Sequence, residues 1–220
     1  MIVPLNEAEI RVLGALLEKA RTTPDNYPLS LNALTTACNQ ASNREPVTSF
    51  TDIEVSATLD ALRRRSLARA IVRSGAAVTK YMHLMDETLG LANRQLAVLC
   101  VLMLRGPQTA GELRTRTQRL HDFEDVADVE SALEGLASRA PDPLVVRLPR
   151  RPGQREERWA HLLAGEVSAR TAGDAGPAEE RAPVAAEDDR VARLETELVA
   201  LKQEVAELRA EMAAFRKQFE

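Results

Sequence analysis

The chain contains the same ordered series of segments twice, and this duplication limits the possible fold more than any other feature. Leu5, Ile10, Val12, Leu13 and Leu16 recur as Leu91, Leu96, Val98, Leu99 and Leu102, both sets at helical spacing. Leu31-Asn-Ala-Leu34 recurs as Ala110-Gly-Glu-Leu113, and Val55-Ser-Ala-Thr-Leu-Asp-Ala-Leu62 as Val129-Glu-Ser-Ala-Leu-Glu-Gly-Leu136. Lys80-Tyr-Met-His-Leu84 recurs as Arg158-Trp-Ala-His-Leu162. An unchanged order across four segments means one supersecondary unit built in tandem.

Each copy predicts three helices and then two strands. The first helix covers about 6–20 and 92–105, the second about 30–39 and 110–118, the third about 52–65 and 124–139. Asn6 with Glu9, Thr51 with Glu54 and Thr109 with Glu112 are capping boxes, so three helix starts are marked by side chains that satisfy otherwise unpaired amides. Ala68–Arg73 and Val78–Leu84 flank Ser74-Gly75-Ala76, and Leu144–Leu148 and Glu157–Leu162 flank Arg150-Arg151-Pro152-Gly153. Strand-forming residues around a glycine turn read as a β-hairpin. Three helices followed by a hairpin is the winged-helix order. The fold class expected is mainly α with small β-hairpins (α+β), with tandem winged-helix domains at 1–88 and 89–165.

The C-terminal quarter reads differently. Residues 166–189 are rich in Ala, Gly, Pro and acid without periodicity, the composition of a flexible linker. Residues 190–220 carry apolar Val191, Leu194, Leu198, Leu201, Val205, Leu208, Met212, Phe215 and Phe219 at alternating spacings of three and four. That is a coiled-coil seam, and Val at a with Leu at d favours two parallel strands. Opposite charges face across a parallel pair: Arg190–Glu195, Glu197–Lys202, Glu204–Arg209 and Glu211–Arg216. The tail therefore predicts a parallel homodimer. A single amphipathic helix folded back on the body is the competing arrangement, and a coil with a different protein is a third.

Hydrophobic residues make up 45% of the chain and aromatics 3%, so its cores are aliphatic. The formal charge of −4 is an average over unlike parts. Residues 166–220 hold 13 acidic and 8 basic residues, leaving 20 and 21 in residues 1–165. A near-neutral body neither advertises nor excludes a nucleic-acid partner. Cys38 and Cys100 form no CxxC and read as reduced thiols of a cytoplasmic protein. No apolar run reaches the ~20 residues of a membrane span, and Met1–Asn6 is no signal peptide.

One stretch is more specific than the fold pattern: Thr22-Thr-Pro-Asp-Asn-Tyr-Pro-Leu-Ser-Leu-Asn-Ala-Leu-Thr-Thr-Ala-Cys-Asn-Gln-Ala-Ser-Asn-Arg-Glu-Pro-Val47, preceded by Leu5 and Glu18-Lys19. Through it, residues 1–165 resemble the uncharacterised bacterial YceH family. The resemblance implies tandem winged-helix domains and assigns no activity. The linker and long heptad tail look like an addition here, although the resemblance implies some C-terminal helix in many members.

No catalytic, cofactor or metal constellation emerges: there is no Gly-rich phosphate loop, GxSxG or HExxH. His83 and His161 occupy the same place in the two copies, which argues for a packing role, and His121 sits beside Asp122 without partners. Cys38–Pro46 reads as a compact polar loop from which Arg44 offers a bidentate fork. Nucleic-acid binding needs cations on the presented face. The third helices are poor there, with Asp52, Glu54 and Asp60 in one and Glu124, Asp125, Asp128, Glu130 and Glu134 in the other. Better candidates are Arg63, Arg64 and Arg65, the second hairpin with Arg147, Arg150, Arg151, Arg155 and Arg158, and Arg44. Arg114, Arg116 and Arg119 form a further basic face. The function expected is non-enzymatic binding of double-stranded DNA in transcriptional control. The alternative is a protein-interaction adaptor on the same fold, to which acidic third helices are better suited.

Overall fold

The computed structural model describes residues 4–72, 78–150 and 156–165. The linker and the heptad segment with Val191, Leu194, Leu198, Leu201, Val205, Leu208, Met212 and Phe215 lie outside the described residues.

The first copy runs α1 (Glu7–Thr22), a 3-10 turn (Pro24–Asn26), β1 (Leu29–Ser30), α2 (Leu31–Cys38), α3 (Asp52–Arg64), β2 (Ala68–Ile71) and β3 (Lys80–His83). A short helix α4 (Met85–Leu89) leads into the second copy: α5 (Asn93–Arg105), α6 (Ala110–Thr117), α7 (Val126–Ala137), β4 (Val145–Leu148) and β5 (Arg158–His161). The protein is mixed α/β, helices joined to small antiparallel sheets.

Five of the seven helices among the described residues, α1, α2, α3, α6 and α7, start where a side chain caps the first turn. Asn6 Oδ1 accepts from the Glu9 amide while Glu9 Oε2 accepts from the Asn6 amide, both at 2.9 Å. Thr51 with Glu54 and Thr109 with Glu112 repeat this reciprocal arrangement. Ser30 caps α2 and Asp125 caps α7. At the start of α5, alanine stands where the first copy has Asn6, and half the box survives: the Ala92 amide donates to Gln95 Oε1 at 3.1 Å.

The sheets explain an element that periodicity does not show. In the first copy the strand order is β1-β3-β2, all antiparallel, with Leu29 opposite Tyr81 and Ala70 opposite Tyr81 on its other side. In the second copy β4 pairs with β5, Val145 opposite His161. Its third strand is a single bridge: the Gln108 amide donates to the Trp159 carbonyl at 3.0 Å and the Trp159 amide to the Gln108 carbonyl at 2.8 Å. Leu29 and Gln108 each precede the residue that caps the second helix, so the two bridges are equivalent.

One continuous core serves both copies. On α1, Val12, Leu13, Ala15 and Leu16 are fully enclosed, and on α5 every residue from Leu96 to Leu104 is buried. A helix apolar on all sides needs partners on all sides. Helices α1 and α5 supply this to each other, and the rest of each copy covers their outer faces. Gly14 sets the approach: a Cβ there would lie 2.9 Å from Leu104 Cδ2 and 3.0 Å from Leu104 Cγ. The Cys100 thiol donates to the Gly14 carbonyl across the same seam at 3.5 Å. The Leu5 amide also donates to the Leu163 carbonyl at 2.7 Å, tying the start of the first copy to the end of the second.

His83 and His161 close β3 and β5, and the Nδ1 of each makes no hydrogen bond among the described residues. Burial pushes the His161 pKa down to about 4, and burial lowers that of His83 against the pull of Asp86. Both shifts favour the uncharged ring at the end of its strand, although His83 Nδ1 also lies 3.5 Å from Asp86 Oδ1.

Two outcomes follow from this packing. Gly14→Val overpacks the α1–α5 seam and costs roughly 1–3 kcal/mol, read as a lower urea midpoint at unchanged slope. For His161, a depressed pKa means that its contribution is fully present above about pH 6.5 and is lost as pH falls from there through about 4. Between pH 7 and pH 4 the natural protein therefore loses more stability than His161→Gln, by on the order of 1–3 kcal/mol.

Candidate nucleic-acid interface

Helix α3 buries Val55, Leu59 and Leu62 and leaves the opposite face in solvent. Arg63 and Arg64 end that exposed face. Arg63 Nη1 reaches Asp60 Oδ1 at 2.9 Å, an exposed pair one turn apart of the kind worth little in water. Arg65 turns inward: its Nε lies 3.4 Å from Glu9 Oε1 and its Nη1 donates to the Pro4 carbonyl at 3.0 Å.

The acidic residues of α3 have structural work. Thr35 Oγ1 donates to Asp52 Oδ1 at 2.5 Å, joining α2 to α3. Glu54 takes the Thr51 amide and hydroxyl at 2.7 and 2.8 Å, and these bonds hold its carboxyl below the usual range. These groups are already committed to helix starts, where the macrodipole favours them.

Arg44 is the clearest departure from expectation, because it is not on a surface at all. Its side chain is fully enclosed. Its Nη1 and Nη2 fork onto Glu18 Oε1 and Oε2 at 3.0 and 2.6 Å, and Nε and Nη2 donate to the Ala37 carbonyl at 3.1 and 2.8 Å. The bidentate geometry anticipated for a phosphate is satisfied internally by a carboxylate. Arg44 is therefore withdrawn from the candidate contact residues.

The second hairpin is less basic than its sequence suggests. Arg147 lies over the Trp159 ring with its guanidinium carbon 4.7 Å from the centroid, and its nitrogens reach Glu134 and Glu157 at 3.3 Å each. Arg150 extends into solvent with Nε 3.8 Å from Glu157. Arg158 is half-buried on β5. Arg151 and Arg155 lie outside the described residues. A groove of about 400 Å³ between α7 and this hairpin is lined by Glu130, Glu156 and Glu157 as well as Arg147 and Arg150, so its charge is mixed.

The first hairpin has the opposite character. Between Asp60 and Asp86 the sequence carries Arg63, Arg64, Arg65, Arg69, Arg73 and Lys80 and no carboxylate. Arg69 and Lys80 are exposed. The register sets Ile71 opposite Lys80 and Arg69 opposite Met82, so Arg69, Ile71, Lys80 and Met82 share one face. This acid-free interval is legible in the sequence as a run without carboxylates, its cations spaced rather than clustered beyond Arg65.

No reactive thiol accompanies these cations. Cys38 and Cys100 are free and buried, and burial pushes the Cys38 thiol up to about 12. No group of three or more metal-ligating side chains occurs among the described residues, and none of their helices is long and apolar enough to cross a membrane.

Residues 5–154 match DUF480, a family described as proteins of unknown function, and the matched span runs from α1 into the second hairpin. The chain belongs to the DUF480 family. It is 51% identical over 221 residues to a UPF0502 protein of Geobacter sulfurreducens, covering 100% of both chains. A UPF0502 protein of Pelobacter propionicus is 50% identical over 98% of each chain, and one of Aliivibrio fischeri is 50% identical over 90% of this chain and 91% of its own. Full-length matches correct one expectation: the segment after residue 165 has a counterpart in these relatives and is not an addition to this chain.

Because Arg44 balances a buried charge, Arg44→Ala strands the Glu18 carboxylate and costs about 3–5 kcal/mol in denaturant unfolding. A change below about 1 kcal/mol would mean that the pair is solvated.

Proposed function

We propose that this protein binds double-stranded DNA through tandem winged-helix copies, with the first hairpin and the end of α3 as the main contact surface. The observation that carries this reading is the acid-free cationic interval from Arg63 to Lys80, which runs from the end of α3 into the hairpin strands β2 and β3. The order helix, strand, helix, helix, hairpin supports the winged-helix assignment, as does the sheet order β1-β3-β2. So does the earlier resemblance to the YceH family. Arginines and lysine on one face suit phosphate anchoring, with sequence readout secondary. Arg150 and Arg158 of the second hairpin extend the surface. The heptad segment would join two such bodies as a parallel homodimer in the cytoplasm and double the footprint.

A second reading has its own support. Helix α7 exposes Val126 and Glu130, and the hairpin beside it has Arg147 held by Glu134 and Glu157. That face suits a basic or mixed protein surface better than a phosphate backbone. It describes an adaptor.

Fluorescence anisotropy with a labelled duplex separates the two. On the DNA reading, affinity falls steeply between 50 and 200 mM salt, and the paired change Arg69→Glu with Lys80→Glu weakens binding at least about tenfold while making the log–log salt slope shallower by about 2. Salt-independent binding, or none at low salt, sinks the DNA reading. An unchanged affinity in the variant moves the contact surface elsewhere.

A further inference from the structure

We propose that the cleft between the two copies is a binding site for a small phosphorylated molecule, separate from the hairpin surfaces. The cleft has a volume of about 150 Å³ and takes its walls from both copies. Lys19 comes from α1, Arg105 from the end of α5, Arg116 from α6 and Arg119 from the turn after it, while Gln40 and Ser42 come from the loop after α2.

The charge of this lining is unbalanced. Its single carboxylate is Glu18, and that group is taken up by the fork from buried Arg44 at 2.6 and 3.0 Å. Lys19 lies 3.9 Å from the same carboxylate, at the limit of an ion pair. Arg116 leans on Glu112 of its own helix at 3.5 Å, and that carboxylate is outside the cleft. Four cations and one carboxylate thus line one concave space, and such a lining draws in an anion.

The loop is held in place for this role. Arg44 anchors it to Glu18 and to the Ala37 carbonyl of α2. The Glu45 amide donates to the Leu104 carbonyl at 2.8 Å, crossing to the second copy. Asn43 adopts a left-handed backbone, φ 58°, and its Oδ1 accepts from Arg105 Nη1 at 2.7 Å, a bond between two residues of the cleft lining. Non-glycine residues stay in that conformation where surrounding contacts hold them. Guanidinium forks match phosphate oxygens bidentately, and cations and neutral donors drawn from four different segments can reach more oxygens than the two of a carboxylate. The enclosed volume admits a phosphate with a small remainder and not a nucleic-acid duplex. A ligand there bridges α1 and Gln40 of one copy to α5 and α6 of the other.

The test titrates pyrophosphate into the full chain and reads the thermal midpoint and the phosphorus-31 line width of the probe, against sodium chloride at matched ionic strength. The site predicts a saturable rise of the midpoint and broadening of the probe signal. Arg119→Gln, an exposed change that leaves the fold intact, weakens the response at least tenfold when combined with Arg116→Gln and measurably alone. Arg150→Gln on the second hairpin leaves it unchanged. Absence of a saturable response, or an equal response in the Arg119 variants, overturns the proposal. An equal response to citrate overturns its phosphate selectivity.

Discussion

The contact between α1 and α5 is the constraint on which the rest of the structure depends. Both helices are buried around most of their circumference, and neither is covered by its own copy alone. Gly14 brings its backbone so close to Leu104 that the leucine side chain would have to shift to admit a Cβ. Burying that much aliphatic surface at about 25 cal/mol per Å² is the main force holding residues 4–165 together. Two backbone bonds also cross between the copies, Leu5 to Leu163 and Glu45 to Leu104, and the Arg44–Glu18 pair within the first copy holds the loop that makes the second of them. The hairpins and the cleft therefore belong to one packed body.

Much of this architecture was legible in the sequence because it is local. Capping boxes at Asn6, Thr51 and Thr109 mark helix starts through bonds that span three residues, and all three occur as read. Helical periodicity of Leu, Ile and Val placed the helices to within about two residues. What escaped is what tertiary pairing decides. Strand β1 is two residues long and its second-copy counterpart is one bridge at Gln108, too short for any alternation to register. Helix α4 is a five-residue element between copies. Arg44 sits in a polar loop whose composition is the same whether its arginine points in or out, and the partner that decides the matter is 26 residues away on α1.

The same distinction governs the charges. Read along the chain, the acidic third helices argued against an anionic partner and the arginine-rich second hairpin argued for one. In the fold, Asp52, Glu54 and Asp125 secure helix starts, Asp128 pairs with Arg94 at 3.1 Å, and Glu134 and Glu157 hold Arg147. Local neutralisation thus removes part of the second hairpin's positive field, while the first hairpin has no carboxylate near it in sequence to do so. The two copies share a topology and differ in electrostatics, and the proposed division between a cationic first hairpin and a mixed second one rests on that difference.

The central claim is that α1 and α5 unite the two copies into a single cooperative body. Native-state hydrogen exchange of the full chain measures this most directly. The account predicts that core amides of α1 and α5, such as those of Leu16 and Leu102, exchange with the same opening free energy and the same denaturant dependence. Opening of one helix at distinctly lower free energy, with the other still protected, would contradict it.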